Sequence, residues 1–197
     1  MKEDKFNIIL SSAIEVLQSE NYQNMKTASI AKGAGVAEGT IYRYFKNKKE
    51  IFKEAVKHAL EKLEENSIKG LDKENSFEDN LEILKKNFLE LKESGKRYYK
   101  IKYKAYSEVD DGEIREILLE NTDREGSAIR TIFNWALEKN ELDLSKEKIE
   151  SMIYMIIAFS QYAIRLYTIG YSEVKIEYEL KEVIEYIKKY IKNREKG

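Results

Sequence analysis

The chain of 197 residues contains no cysteine and no proline, and it has one histidine, His58, and one tryptophan. Without cysteine there is no disulfide, no thiolate metal site and no thiol nucleophile. With one imidazole, a histidine cluster for metal or a histidine-based triad lacks its other members. The lack of proline disfavours long structured loops and suits uninterrupted helices. Long apolar runs are missing too. The longest, residues 152–159, is followed by Ser160, Gln161 and Arg165, whereas a membrane span needs about 20 apolar residues. At the N-terminus the apolar run is only Ile8, Ile9 and Leu10, with Glu15 and Glu20 soon after, so a signal peptide is not expected. These absences point to a cytoplasmic protein without membrane contact. Excess charge of one sign is absent as well: 35 Lys and Arg against 36 Asp and Glu give a net charge of −1. That total does not describe a nucleic-acid binder. Nor is there a nucleophile beside a base, a glycine-rich phosphate loop or a carboxylate pair on a plausible scaffold. We therefore expect no enzyme, no metal and no cofactor.

What is present is helical periodicity. Phe6, Ile9, Leu10, Ala13 and Leu17 fall on one face of the first segment. Thr27 stands where it can N-cap a short helix carrying Ile30, Ala31 and Ala34, which Gly35 ends. A third short helix covers 37–44. Asn47, with Glu50 three residues on, has the form of a capping box and opens a longer helix bearing Ile51, Phe52, Ala55, Val56, Ala59, Leu60 and Leu63. The charged stretch 67–75, with Gly70, is the best internal boundary. Ser76 with Asp79 starts the next helix, and Ser94-Gly95 breaks it. Residues 96–109 carry two apolar stripes, as in a helix packed on more than one side. A long helix to about Asn140 and two more over 145–169 and 172–193 complete the chain. No stretch alternates with period two. The expected fold is all-α, with about nine helices.

Residues 27–45, TASIAKGAGVAEGTIYRYF, have the layout of a helix-turn-helix. Ala31 must be small where the second helix crosses it. Gly35 gives the tight turn its left-handed residue at little cost. Val36 and Ile41 pack back onto Ile30 and Ala31, with Phe45 in the same core. The second helix then presents Glu38, Gly39, Thr40, Tyr42 and Arg43 outward, and such a helix lies in the major groove with its first residues nearest the bases. Gly39 inside this short helix costs about 1 kcal/mol relative to alanine, which makes sense where a phosphate backbone must come close. Residues 26–57 hold eight Lys and Arg against three Glu, a basic patch that the whole-chain average conceals. Lys46, Lys48, Lys49 and Lys53 cluster where a helix N-terminus also favours an anion.

The run TASIAKGAGVAEGTIYRYFKNKKEI, residues 27–51, resembles the signature of the TetR/AcrR family of bacterial transcriptional regulators. The likeness is carried by Thr27, Ile30-Ala31, Ala34-Gly35-Val36, Gly39-Thr40-Ile41-Tyr42, Tyr44-Phe45 and Lys48. Ala37 departs from the usual Ser or Thr, losing a capping oxygen, and Asn47 from the usual Ser, which it replaces as an equivalent cap. The resemblance implies that Thr27, Tyr44 and Lys48 touch phosphates and that Gly39, Thr40, Tyr42 and Arg43 face the groove. Lys46 joins them by its charge. Glu38 either accepts from a cytosine amino group or stabilises the helix N-terminus.

From this we expect a helix-turn-helix domain over 1–47, a connecting helix 4 over 48–66, and an effector-binding and dimerisation domain over 67–197. In the last, Tyr99, Tyr103 and Tyr106 are candidates for an effector pocket. So are Arg130, Asn134, Phe159, Gln161, Tyr162 and Arg165, which would receive a small molecule with an aromatic or apolar part. The last two helices offer Ile153, Ile156, Ala163 and Leu166 on one, and Leu180, Val183, Ile184 and Ile187 on the other, for a four-helix dimer bundle. The function expected is a homodimeric repressor, released from a palindromic operator by its effector. The alternative is a DNA-binding dimer without a small effector.

Overall fold

The computed structural model describes residues 2–142 and 144–192. Among these there are ten helices and no strand, the all-α class that the periodicity predicts. They are α1 (Lys2–Ser19), α2 (Thr27–Ala34), α3 (Glu38–Ile41), α4 (Lys48–Ile68), α5 (Phe77–Ser94), α6 (Lys96–Tyr106), α7 (Gly112–Arg124), α8 (Ser127–Glu138), α9 (Lys146–Thr168) and α10 (Glu173–Lys192).

The chain forms two compact units. The first joins the residues up to Leu63 with Arg97–Thr122, and the second joins Glu64–Lys96 with the residues from 123 onward. The boundaries 1–47, 48–66 and 67–197 would place α6 and α7 with the C-terminal region, but they pack with α1–α4. The physical reason is a set of polar ties. The Lys104 ammonium donates to the carbonyls of Leu17 (2.5 Å) and Glu20 (2.7 Å), closing the exposed C-terminal end of α1. Burial, with Lys100 nearby, holds this ammonium below the usual lysine value. Of the two stripes of α6, Tyr98, Ile101 and Ala105 are buried throughout, whereas in the other Tyr99 is buried, Tyr103 half-buried and Tyr106 exposed; Lys102 is buried as well.

In the first unit Ile9, Ala13, Leu17, Ile30, Ile41, Phe45 and Phe52 form the core. The buried Ser12 hydroxyl donates to the Ile30 carbonyl at 2.8 Å, and a Cβ on Gly33 would overlap that hydroxyl. A side chain at residue 33 would therefore require the Ser12 hydroxyl to turn away from its bond to Ile30. In the second unit Phe77 meets Phe133 edge-on at 4.8 Å, and Leu81, Ile132, Ile149 and Met152 are buried around them. Lys188 ties α10 to α5 through Glu82 (2.6 Å) and Glu78 (3.3 Å). Ser76 and Ser145 cap α5 and α9, accepting from the Asp79 and Lys148 N–H groups.

Four local expectations change. The long helix before Asn140 is two helices, α7 and α8, parted at Gly126, whose φ of 80° suits a residue without a side chain. The third helix is α-helical only over Glu38–Ile41 and then tightens into turns. Thr27 is the first residue of α2 and not its cap; Lys26 holds that place without a side-chain bond. Finally, Ile153, Leu180, Ile184 and Ile187 are buried in the core of the second unit, with Ile156 and Val183 packed against it. Ala163 is buried and Leu166 half-buried. Apolar periodicity marks the inner stripe of a helix, and here the fold of one chain already covers it.

The outer stripe of α9 is a different set. Tyr154, Met155, Ala158, Tyr162 and Arg165, with the C-capping Ile169, are exposed at spacings that keep them on one face. Tyr154 is 64% and Ile169 72% exposed. Tyr178 and Tyr186 are exposed on α10.

Candidate nucleic-acid interface

The turn between α2 and α3 is built from backbone hydrogen bonds. Gly35 has φ 65° and ψ 32°, and the Val36 N–H reaches back to the Ala31 carbonyl at 3.0 Å, closing α2 with the six-to-one bond of a Schellman motif. Ala37 is extended and offers α3 no side-chain cap, in keeping with its missing oxygen. Beyond α3 the chain tightens. The Arg43 N–H donates to the Thr40 carbonyl (3.1 Å) and the Tyr44 N–H to the Ile41 carbonyl (2.9 Å).

This path sets which residues face outward. Ile41 and Phe45 are turned fully into the core, where Phe45 stacks on Phe6 at 4.9 Å between centroids. Glu38, Gly39, Tyr42 and Arg43 are exposed, and Thr40 and Tyr44 are half-buried. Tyr42 is 53% exposed. A Cβ at Gly39 would meet nothing within 4 Å, so no packing inside the chain requires glycine there. Thr27 lies against this surface: its hydroxyl donates to the Glu38 carboxylate, and the Tyr42 hydroxyl lies 3.4 Å away.

The start of α4 adds the cations. Asn47 Oδ1 accepts from the Glu50 N–H at 2.9 Å, and the Glu50 carboxylate reaches back to the Lys46 N–H, giving the capping box with its return bond one residue early. The Lys46 side chain is exposed. Lys48 donates to the Gln23 carbonyl at 3.0 Å and lies 4.8 Å over the Tyr22 ring.

The four lysines do not form one free cluster. Lys49 bridges Asp111 (2.7 Å) and Glu113, and Lys53 pairs with Glu113 at 2.6 Å. The hydrogen bonds to Asp111 and Glu113 raise the Lys49 pKa, and those from the lysines hold both carboxyls below the usual range. Asp111 also accepts from the Glu113 N–H at 3.0 Å through its other oxygen, so one carboxylate fastens the start of α7 to the start of α4. Tyr22, Gln23, Asp111 and Glu113 escape a reading of the sequence because their partners lie 25 to 85 positions away. No local spacing signals such pairs.

The candidate pocket residues are divided between the units. Tyr99, Tyr103 and Tyr106 belong to the first; Tyr99 is buried and Tyr106 exposed. Arg130, Asn134, Phe159, Gln161, Tyr162 and Arg165 belong to the second. Arg130 is paired with Glu150 and stacked over Tyr154. Asn134 is exposed, Phe159 and Gln161 are half-buried, and the Arg165 guanidinium lies 5.2 Å over the exposed Tyr162 ring. Among the described residues no group of three His, Cys, Asp or Glu side chains is arranged to hold a metal ion, and no helix is long and apolar enough to cross a membrane.

Residues 9–55 match the family model described as bacterial regulatory proteins, tetR family. The Fatty acid metabolism regulator protein of Bacillus subtilis (strain 168) is 44% identical over 68 residues, which are 32% of this chain and 35% of that relative. The matched part thus spans about a third of the relative's length. A TetR-family regulator structure from Mesorhizobium loti MAFF303099 superposes with a TM-score of 0.78 at 14% identity, covering 93% of this chain and 95% of that one. The transcriptional regulator FadR from Bacillus subtilis, solved in complex with stearoyl-CoA, gives 0.66 at 21% identity, covering 91% and 96%.

Proposed function

Because the chain belongs to the tetR family of bacterial regulatory proteins, we propose that it represses transcription as a homodimer bound to a palindromic operator, and that a small-molecule effector releases it. It acts in the cytoplasm, where a bacterial operator lies. The observation that carries this reading is the single surface formed by Gly39, Tyr42, Arg43 and Lys46, with Lys48 and Thr27 at its edge. Apart from the carboxylate of Glu38, its exposed residues are cationic, polar or lack a side chain, and Ile41 and Phe45 beside them are buried. Such a surface suits a hydrated polyanion with base edges behind it. Tyr44 and Thr40, half-buried at the rim, make the shorter contacts.

The dimer is supported by the outer stripe of α9. Tyr154, Met155, Tyr162 and Ile169 leave a contiguous apolar face in water, which marks an interaction site. Tyrosines with one arginine, Arg165, are the residue types that dominate interface energies. In the dimer the two α3 helices must stand about one DNA turn apart, roughly 34–36 Å. An effector weakens DNA binding only as far as it binds better to another spacing of the reading domains.

With Tyr162 and Arg165 given to the dimer face, Phe159 and Gln161 are the effector candidates on α9 that remain half-buried. A long acyl chain attached to coenzyme A is the first probe, because a neighbour of the same fold is solved with stearoyl-CoA. The constitutive DNA-binding dimer is the competing reading. It is favoured by the burial of Tyr99 and Phe133 in packing.

One titration tests the proposal. An operator taken from DNA beside the gene is followed by fluorescence anisotropy at several salt concentrations. Tyr42→Ala and Lys48→Ala are expected to weaken binding about tenfold, and Lys48→Ala to reduce the salt slope by about one. Unchanged affinity in both variants would sink the assignment of this surface.

A further inference from the structure

Glu38 carries a negative charge on the surface assigned to DNA. The other two acids of residues 26–57 have roles inside the chain: Glu50 completes the cap of α4, and Glu54 pairs with Lys57 at 3.1 Å. Glu38 is exposed in the first turn of α3, and its Oε1 takes the hydroxyl proton of Thr27. Tyr42 stands one turn further along the same face, with its hydroxyl 3.4 Å from the Thr27 oxygen. A carboxylate only accepts. Thr27 therefore donates to Glu38, and its oxygen is left to accept from Tyr42. Phenol, hydroxyl and carboxylate form one relay across the surface of α2 and α3.

Every phosphate oxygen repels the Glu38 carboxylate, so against DNA it is stable only over hydrogen-bond donors. In the major groove those donors are the amino groups of cytosine and adenine, and a carboxylate pairs with cytosine N4. The Thr27 proton, meanwhile, is committed to Glu38. The family resemblance implies a phosphate donor there, a role that would require Thr27 to give up this bond.

Resting on the reading that this surface binds DNA, we propose that Glu38 selects a cytosine in each half-site, and that Thr27 and Tyr42 are positioning residues that hold its carboxylate over that base. The relay fixes Glu38 before DNA arrives, so selectivity at that position depends on a threonine in a different helix. Substitution by glutamine should change the base that is read, because an amide pairs with adenine N6 and N7.

The experiment is selection of bound sequences from a random duplex pool with the full-length wild type, Glu38→Ala, Glu38→Gln and Thr27→Val. The wild type should enrich a palindrome with a cytosine at one symmetric position. Glu38→Ala should lower that preference about tenfold or more while the other positions keep theirs. Glu38→Gln should shift the position toward adenine. Thr27→Val should relax the same position and no other. A motif untouched by Glu38→Ala, or weakened evenly at all positions, overturns the role of Glu38. Even loss of affinity across all sequences in Thr27→Val makes Thr27 a phosphate contact and overturns the relay. If the wild type enriches no motif, the reading of this surface as a DNA-binding face fails first and takes the proposal with it. Thermal melts of each variant confirm the fold, since Glu38 is exposed and Thr27 half-buried.

Discussion

Helices α3 and α9 both leave side chains in water, for opposite reasons. On α3 and the turn after it the exposed residues are Glu38, Gly39, Tyr42 and Arg43, and the apolar Ile41 is fully buried. On α9 the exposed stripe is Tyr154, Met155, Ala158, Tyr162, Arg165 and Ile169, while Ile149, Met152 and Ile153 fill the core behind it. The α3 surface keeps its water until charged groups displace it. The α9 surface gains by losing water. On the proposed reading the partner of the first is a polyanion and that of the second an apolar face, so the two contacts would be governed by different terms: counterion release for one and apolar burial for the other.

The largest effect expected from breaking this contrast is on α9. Tyr154→Glu with Tyr162→Glu places two carboxylates in the proposed dimer face. Sedimentation should show monomers, and affinity for a full palindrome should fall by about 100-fold or more, as for loss of interface hot spots. Each monomer should retain weak binding to a half-site. A dimer that survives the double substitution would move the interface elsewhere.

A smaller effect separates stability from function on α3. Nothing in the chain approaches a Cβ at Gly39. Gly39→Ala should therefore raise stability in urea titration by about 0.5–1 kcal/mol while weakening operator binding several-fold. A gain in both would show that DNA does not come close to residue 39. The same test on α9 has no counterpart, since its exposed face lacks glycine.

The smallest effect concerns acid. Asp111 and Glu113 are held below the usual carboxylate range by Lys49 and Lys53, and Glu82 by Lys188 and Lys85. Groups whose folded pKa is lowered contribute stability that is present above their unfolded value. That stability is lost as pH falls through the ordinary range near 4 and below it. Melting temperature should hold down to about pH 5 and then drop. The double variant Asp111→Asn, Glu113→Gln should be less stable at neutral pH and lose less on acidification. An equal drop in variant and wild type would show that these pairs add nothing.

The geometry of the α2–α3 turn was legible in the sequence because its constraints are local. The small Ala31, the left-handed Gly35 and the inward Ile41 and Phe45 are separated by a few residues, and each follows from sterics within one turn of chain. Asn47 and Ser76 as caps were legible for the same reason. The dimer candidates illustrate the limit. Ile153, Ile184 and Ile187 repeat with helical period, and that period identifies a buried stripe without saying whether it is covered from inside or from a second chain. Thr27 illustrates another: its type and place suggest a cap, but its hydroxyl is drawn to Glu38, eleven residues on. The ties of Lys49 to Asp111 and of Lys104 to Leu17 join residues 62 and 87 positions apart, beyond the reach of any spacing rule.

The return of residues 97–122 to the first four helices has a consequence for cutting the molecule. The backbone passes between the two units three times, after Leu63, after Lys96 and after Thr122. No single scission separates the units into two contiguous fragments. A fragment ending near residue 66 would leave the Leu17 carbonyl of α1 without Lys104 and Lys49 without Asp111, so the unit that carries α2 and α3 is not a detachable N-terminal module. Moving this unit into another chain would take two stretches of sequence together, the first and the α6–α7 stretch that completes it.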